Sequence, residues 1–413
     1  MGFGKNLLIE RLRENAPKGE NYFDCNATVV SYKTGFPVLD YHIGYLVNVN
    51  DKNDNIVDQY PMIGIPGGCF VTAIGKPSTS KTTTMVQIAA NIVRDFDCGT
   101  VIHFDLEQAM NYSRIQTLTK FKMTDMEAGK YILRQEKSSI SDIKRTIIRI
   151  YKEKMEHLED YNYNTHKLNE FGEEIILPQP TVVIIDSIAT LSTEVNENDK
   201  KEAQKLEEVG SQTERMRLTG EISRFFTELL PYIRAANIIV LTINQIKTNP
   251  GMGVMPQPAS ILYLKQGESL PGGVGPQFLA HILLKFVAVG SEKYTAEENG
   301  FDGFGVAIEI IKSRVNQAGQ RVSLVYDKVR GIDSLRSTLA YAKDVGLTSG
   351  NKNKTYFLTN KDESFSLVHV HEDFKNNKNL YKIMYDNIIP VLSKRLSAIT
   401  PDEMGVVEEE MDY

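Results

Sequence analysis

The residues best placed to do chemistry in this chain form one short run, Gly75-Lys76-Pro77-Ser78-Thr79-Ser80-Lys81-Thr82. Its spacing fits the phosphate-binding pattern of a glycine, four variable residues, a glycine, a lysine and a serine or threonine, except that Ser80 stands where glycine is usual. The residue types suit that chemistry. Backbone N–H groups at a helix N-terminus point at an anion, and the helix dipole favours its charge. Lys81 can reach the outer phosphates of a nucleotide, and the Thr82 hydroxyl, followed by Thr83, can ligate Mg²⁺. A Ser/Thr-rich turn capping an ordinary helix would look similar, so the flanking elements decide. The apolar run Cys69 to Ile74 precedes the loop, and Met85 to Val93 follows with apolar residues at helical spacing. Strand, loop and helix in that order point to a nucleotide site.

Further acids stand at the ends of other apolar runs. Thr100 to Phe104 leads into Asp105-Leu106-Glu107, and Thr181 to Ile185 leads into Asp186-Ser187. Asn237 to Ile243 leads into Asn244-Gln245. Ligands of an open α/β sheet sit at strand ends, and an acid directly after four apolar residues suits the ordering of a Mg²⁺ shell. A capping role is the plainer reading of any single polar strand end. Four such strands with helical stretches between them, such as Gly220 to Ala236, predict an α/β domain with a largely parallel twisted sheet flanked by helices. Ala280 to Val289, Gly305 to Arg314 and Gln320 to Tyr326 read as strands joined by short turns, a β extension of that sheet.

The remaining segments frame this core. Residues 4–15 carry Leu7, Leu8, Ile9 and Leu12 among charged residues and read as a short amphipathic helix, ended by Ala16-Pro17-Lys18-Gly19. Set off before the core, it docks on its own body or on a neighbouring subunit. Asn48 to Gln59 reads as a surface loop or hairpin, and Tyr151 to Gln179 as a charged, Tyr- and Asn-rich excursion. His369 and His371 alternate on an expected surface strand followed by Glu372 and Asp373, for which metal binding is the lesser reading. Cys98, before Gly99, reads as a buried thiol at a turn.

Hydrophobic content of 41% with 24% charged residues is that of a globular protein, which sets disorder aside. No apolar run is long enough to span a bilayer, and the N-terminus lacks a signal-peptide core. Cys25, Cys69 and Cys98 are odd in number and widely spaced, so they make neither a disulfide framework nor a zinc pattern. A cytoplasmic setting is the expectation, that of the host if the chain is phage-encoded. The net charge of −6 argues against a nucleic-acid partner at first sight. Six acids without a Lys or Arg between Asp402 and Tyr413 account for all of it, so the body is formally neutral.

The phosphate loop, the Asp105-x-Glu107 strand end, Asp186-Ser187 and Asn244-Gln245 before a Gly/Pro-rich loop resemble, in this order, the RecA-type recombinases, and most of all those of bacteriophages. The resemblance covers roughly residues 30–345. It implies a RecA-like ATPase core at 31–345 with DNA-binding loops, after an N-terminal helix and linker at 1–30 that contact a subunit. A small C-terminal region with an acidic tail would fill 346–413. ATP and Mg²⁺ would be held by Gly75, Pro77, Ser78, Thr79, Ser80, Lys81, Thr82, Thr83, Asp186 and Ser187. Glu107 would polarise the attacking water, and Gln245 would sense the γ-phosphate. Lys312 and Arg314 would reach the ATP of the adjacent subunit. A first DNA loop would fall near Glu208 to Arg217, with Arg215 and Arg217. A second would run from about Ile246 to Gly275 with Lys247, Met252, Gly253, Val254, Met255, Gly272 and Gly273. A plain packing loop is the other reading of Met252 and Met255, and a solvated strand edge that of Lys312 and Arg314. Where many relatives place an adenine-stacking tyrosine this chain has Arg114, with Tyr112 nearby, and both are expected near the base.

The resemblance implies an ATP-dependent recombinase that forms helical filaments on single-stranded DNA and pairs it with duplex DNA in recombination, repair and replication. Single-strand-binding and loading proteins would be partners, and no membrane would be. A hexameric RecA-fold helicase and a regulatory paralog without strand exchange are the alternatives. An acidic tail competes with phosphates for basic surface. Removing Asp402–Tyr413 is therefore expected to raise DNA affinity, duplex most, with a gain that shrinks as salt is added. Unchanged binding across a salt titration would make the tail a bystander.

Overall fold

Runs of Val and Ile with no polar alternation need cover on both faces, and the strands of the central sheet have it. In chain order they are β1 (Phe70–Gly75), β2 (Thr100–Asp105), β3 (Tyr131–Arg134), β4 (Thr181–Asp186), β5 (Ile238–Gln245), β6 (Ile282–Tyr294), β7 (Gly303–Ser313), β8 (Arg321–Asp327) and β9 (Gly331–Ile332). Every residue of β1 and β4 is buried. These strands belong to a computed structural model that describes residues 29–51, 55–169, 172–191, 210–248, 263–265, 268–272 and 275–396. The expected helix over residues 4–15, the Met252–Met255 segment, Gly273 and the acidic tail lie outside these residues.

The nine strands form one sheet in the order β9-β8-β7-β6-β1-β5-β4-β2-β3. Neighbours from β6 to β3 are all parallel. Strands β7, β8 and β9 continue the sheet antiparallel, which is the β extension. The fold is thus α/β with a mostly parallel central sheet. Sequence reading missed β3, whose four residues include an arginine and carry little periodicity.

Helices α1 (Lys81–Val93), α2 (Ile140–Glu156), α3 (Gly210–Ala235), α4 (Ser334–Asp344) and α5 (Asn379–Ser393) supply the cover. On one face Met85, Ile88 and Ile92 of α1 pack with Val71, Ala73, Ile184 and Leu241. On the other, Ile143 and Ile147 of α2 and Phe225, Phe226 and Leu229 of α3 pack with Phe70, Phe104, Val183 and Val240. Ser139 and Asp142 start α2 as a reciprocal cap, each side chain accepting the other's backbone N–H. Among the described residues, no helix is long and apolar enough to cross a membrane.

Four expectations need correction. The stretch expected as a loop near Glu208 to Arg217 is helical from Gly210 onward, because α3 begins there and its backbone includes both Arg215 and Arg217. His369 and His371 are not on a strand: they flank the start of a helix over Val370–Asn376, and His371 Nε2 pairs with Asp333 Oδ2 at 2.6 Å. Cys98 is exposed. Its neighbour Asp97 and the turn before β2 leave the thiol outside the core. The Asn48–Gln59 excursion is a hairpin of Tyr45–Asn50 with Ile56–Met62. The later excursion starts after Glu156 and not at Tyr151, because α2 runs on through Tyr151 and Met155, which pack on the core. It ends in a hairpin of Asn162–Leu168 with Glu174–Pro178, tied back by Tyr163 to Tyr32 at 2.9 Å.

Lys154, near the end of α2, is buried and spends its ammonium on two carbonyls, Gln179 O at 2.6 Å and Ala236 O at 3.0 Å. Those carbonyls stand at the entries to β4 and β5, so one side chain fixes both strand starts. Burial lowers Lys154 from its ordinary 10.5 to about 7. The unfolded chain then holds more protons than the folded one between about pH 7 and 10, and stability rises with pH across that window. Lys154→Met is expected to flatten this rise in urea unfolding measured at several pH values. An identical slope in the variant would show that the lysine is not held this way.

Candidate active site

The loop after β1 is built on a glycine that cannot be replaced cheaply. A Cβ at Gly75 would stand 2.6 Å from the Phe286 carbonyl oxygen of β6 and 3.0 Å from Thr79 Oγ1. The chain then turns through Pro77 and Ser78, and Thr79 Oγ1 closes the turn on Lys76 O at 2.9 Å. Ser78 and Ser80 both adopt left-handed backbone, with φ of 61° and 66°. Ser80, where the pattern expects glycine, therefore keeps the glycine's conformation without its freedom.

Lys81 and Thr82 open α1. The Lys81 ammonium is buried and donates to Lys76 O at 2.7 Å. Burial lowers it from 10.5 to about 8, against the opposing pull of Asp186 and Glu107. An anion in the loop would restore the charged form. Thr82 Oγ1 donates to Asp186 Oδ2 at 2.7 Å, so the loop threonine and the acid closing β4 meet directly. Burial pushes Asp186 up to about 6; the Thr82 hydroxyl opposes this and the nearby Glu107 and Asp105 add to it. A hydroxyl and a carboxylate with no nitrogen or sulfur donor form the all-oxygen set that a hard cation prefers. These two residues fit Mg²⁺.

Glu107 lies beyond β2, in the turn where Gln108 takes a φ of 52°. Two neighbours hold its carboxylate. Ser187 Oγ donates to Oε1 at 2.7 Å, and Gln245 Nε2 donates to the same oxygen at 3.2 Å. The ends of β2, β4 and β5 thus converge on one exposed carboxylate beside the loop. Asp105 serves differently: it accepts from Ala109 N at 3.1 Å and Met110 N at 2.9 Å, fixing the turn that presents Glu107.

The other expected residues lie elsewhere. Tyr112 and Arg114 begin a helix over Tyr112–Thr119, where Tyr112 is exposed and Arg114 Nη1 donates to Val329 O, so this helix leans on the turn between β8 and β9. Lys247 pairs through its backbone with Ser269, joining the two roots of the second loop. Gly272 has a φ of 79°, a conformation that glycine supplies without strain. Within one chain, Lys312 and Arg314 lie away from the loop. Lys312 pairs with Leu283 and donates to Phe278 O, and Arg314 N donates to His281 O beside the first residue of β1. The loop follows the last residue of β1, so the cations and the loop occupy opposite ends of one strand, ~17 Å apart by strand rise.

Sequence reading missed a contact that the fold makes evident. Lys76, in the loop, pairs at 3.1 Å with Glu268, a carboxylate almost fully buried at the root of the second loop. No local pattern announces a pair so distant in sequence.

Relief of the left-handed serine gives a direct check on loop geometry. Ser80→Gly is expected to stabilise the fold by ~0.5–1 kcal/mol, as the Cβ conflict outweighs the added freedom of the unfolded chain. Urea unfolding would show it, and a destabilised variant would contradict the left-handed assignment. No protein-family model matches this chain and no curated protein matches it significantly, so its activity is read from the geometry of these residues.

Proposed function

We propose that this chain is an ATP-dependent DNA recombinase with a RecA-like core, which polymerises on single-stranded DNA and drives homologous pairing and strand exchange. One observation carries the reading: Glu107 is clamped by Ser187 and Gln245 next to a phosphate-type loop whose Thr82 meets Asp186. In hydrolysis, water attacks the γ-phosphorus, the bond to the ADP oxygen breaks, and Glu107 takes the water's proton as general base. Mg²⁺, held at Thr82 and Asp186, would offset charge on the phosphate oxygens. Lys81 would meet the outer phosphates. Gln245 stands at the root of the second loop, so a change at the γ-phosphate reaches that loop within one residue.

The position of Lys312 and Arg314 supports a shared site. They cannot serve their own loop from the far end of β1, yet a head-to-tail neighbour would place them against the next one. Such a heterologous contact generates an open helix or a closed ring. The cationic end is well developed. Burial lowers His281 to about 4, and Arg314, Arg234 and Lys312 around it add to the shift. A surface gathering three cations around a neutral imidazole suits an anion from outside the chain.

Complementation tests this. A chain carrying Lys312→Ala and Arg314→Ala is expected to bind ATP through its intact loop and yet fail to hydrolyse it. Mixed with a Lys81→Ala chain, it should regain part of the DNA-stimulated ATPase, because some interfaces then pair an intact loop with intact cations. A cation supplied in trans contributes about 10³–10⁵ in rate, so a minority of repaired interfaces is visible. Co-assembly without recovery at any ratio would overturn the shared site. In electron micrographs, helical filaments support the recombinase, and rings would favour the hexameric helicase instead.

A further inference from the structure

Beneath Thr82 lies a group of donors of which the nucleotide reading uses only Asp186. The parallel register of β2 and β4 sets Asp105 opposite Asp186. The two-residue strand period then places His103 on the same face, one step deeper. One ring nitrogen of His103, one carboxylate oxygen of Asp105 and one of Asp186 lie within 4.8 Å of one another, and all three residues are buried.

Each member is oriented for something other than itself. Asp105 is held by the N–H groups of Ala109 and Met110 and by Gln135 Nε2 at 2.8 Å, contacts that fix the carboxylate without using all its lone pairs. Asp186 gives Oδ2 to Thr82, which leaves Oδ1. His103 Nδ1 lies 2.8 Å from the Tyr131 hydroxyl, and its Nε2 is buried with no hydrogen-bond partner. An imidazole that donates Nδ1–H to a fixed oxygen presents the Nε2 lone pair, which is how metal-ligating histidines are set. Two carboxylates side by side in a buried position repel one another until a cation joins them. A buried nitrogen without a partner, such as His103 Nε2, is itself costly.

We propose that His103, Asp105 and Asp186 form a divalent-cation site distinct from the Thr82 hydroxyl position. One imidazole and two carboxylates suit a transition ion such as Zn²⁺ or Mn²⁺, which accept a nitrogen ligand beside oxygens, whereas Mg²⁺ prefers oxygen ligands and its own waters. Because Asp186 belongs to both positions, an ion below restrains the acid that faces the loop above. The site needs no nucleotide, so it stands or falls apart from the proposed ATPase.

The probe is Mn²⁺ added to the full, nucleotide-free chain. Pulsed electron paramagnetic resonance is expected to show imidazole nitrogen coupled to the bound ion. His103→Phe, which keeps a buried ring, should remove that coupling and weaken Mn²⁺ binding at least ~10-fold. Thr82→Val should retain the coupling, which separates this position from the one at the loop. Mn²⁺ bound through oxygen alone, coupling that survives His103→Phe, or no bound Mn²⁺ would each overturn the proposal. Should His103→Phe fail to fold, anomalous scattering at the manganese edge from soaked wild-type crystals decides the matter. A peak between the three side chains supports the site, and a peak only at Thr82 or none at all refutes it.

Discussion

The carboxyl edge of this molecule depends on the mutual register of four parallel strands. Asp186 faces Asp105 on one side and Ile243 on the other, and Gln245 faces Gly75. Only in that register do Thr82, Asp186, Ser187, Glu107 and Gln245 come within hydrogen-bond reach. A slip of β4 by one residue would send Asp186 to the opposite face and bring Ile185 under the loop helix. Ile185 belongs to the apolar layer with Phe104 and Phe226, and Ile184 to the layer beneath α1. Each would then meet a layer packed for the other. The apolar faces thus fix the position of the acids without contacting any ligand.

Much of this was legible from residues alone, and the physical reason is burial. Strands covered on both faces must be continuous in Val and Ile, so β1, β2, β4 and β5 stand out against charged surroundings. The polar residues closing them are visible because they break that continuity. The same logic fails for β3, where Tyr131 is buried but Arg134 turns towards Glu136 and solvent. It fails again at His369 and His371, where alternation in sequence implied a strand. Asp333, far earlier in the chain, takes His371 instead, and the local backbone is the start of a helix. Alternation over three residues is too short a period to tell strand from helix cap. Contacts such as Lys76 with Glu268 leave no local trace, since each residue alone looks like surface charge.

Charge within the site is balanced only in part. Burial lowers Lys81 and raises Asp186, so each is less inclined to carry its charge than in water. The ammonium leans on a carbonyl, Lys76 O, which accepts a hydrogen bond but supplies no counter-charge. The carboxylate leans on a hydroxyl. Both contacts are placeholders of a kind that a charged ligand replaces at little cost, because each neutral partner can turn elsewhere. Sites arranged in this way bind an anion and a cation together better than either alone.

The second loop is secured to this charge system at both roots. On the outgoing side, Gln245 holds Glu107 and Ile246 packs with Ile74, Leu264 and Leu283. On the returning side, Glu268 meets Lys76, and the Pro271 carbonyl accepts from Asn244 Nδ2 at 2.8 Å. Lys247 and Thr248 join the two roots by pairing with Ser269 and Glu268. The outgoing root therefore reads the carboxylate that would activate water, and the returning root reads the backbone turn that would wrap the phosphates. A loop strapped at only one of these points could shift without disturbing the chemistry. Strapped at both, it cannot move its roots without displacing either Glu107 or Lys76. In the proposed recombinase, this is the physical route by which DNA in the loop and nucleotide in the site constrain one another, and it runs through contacts made within a single subunit.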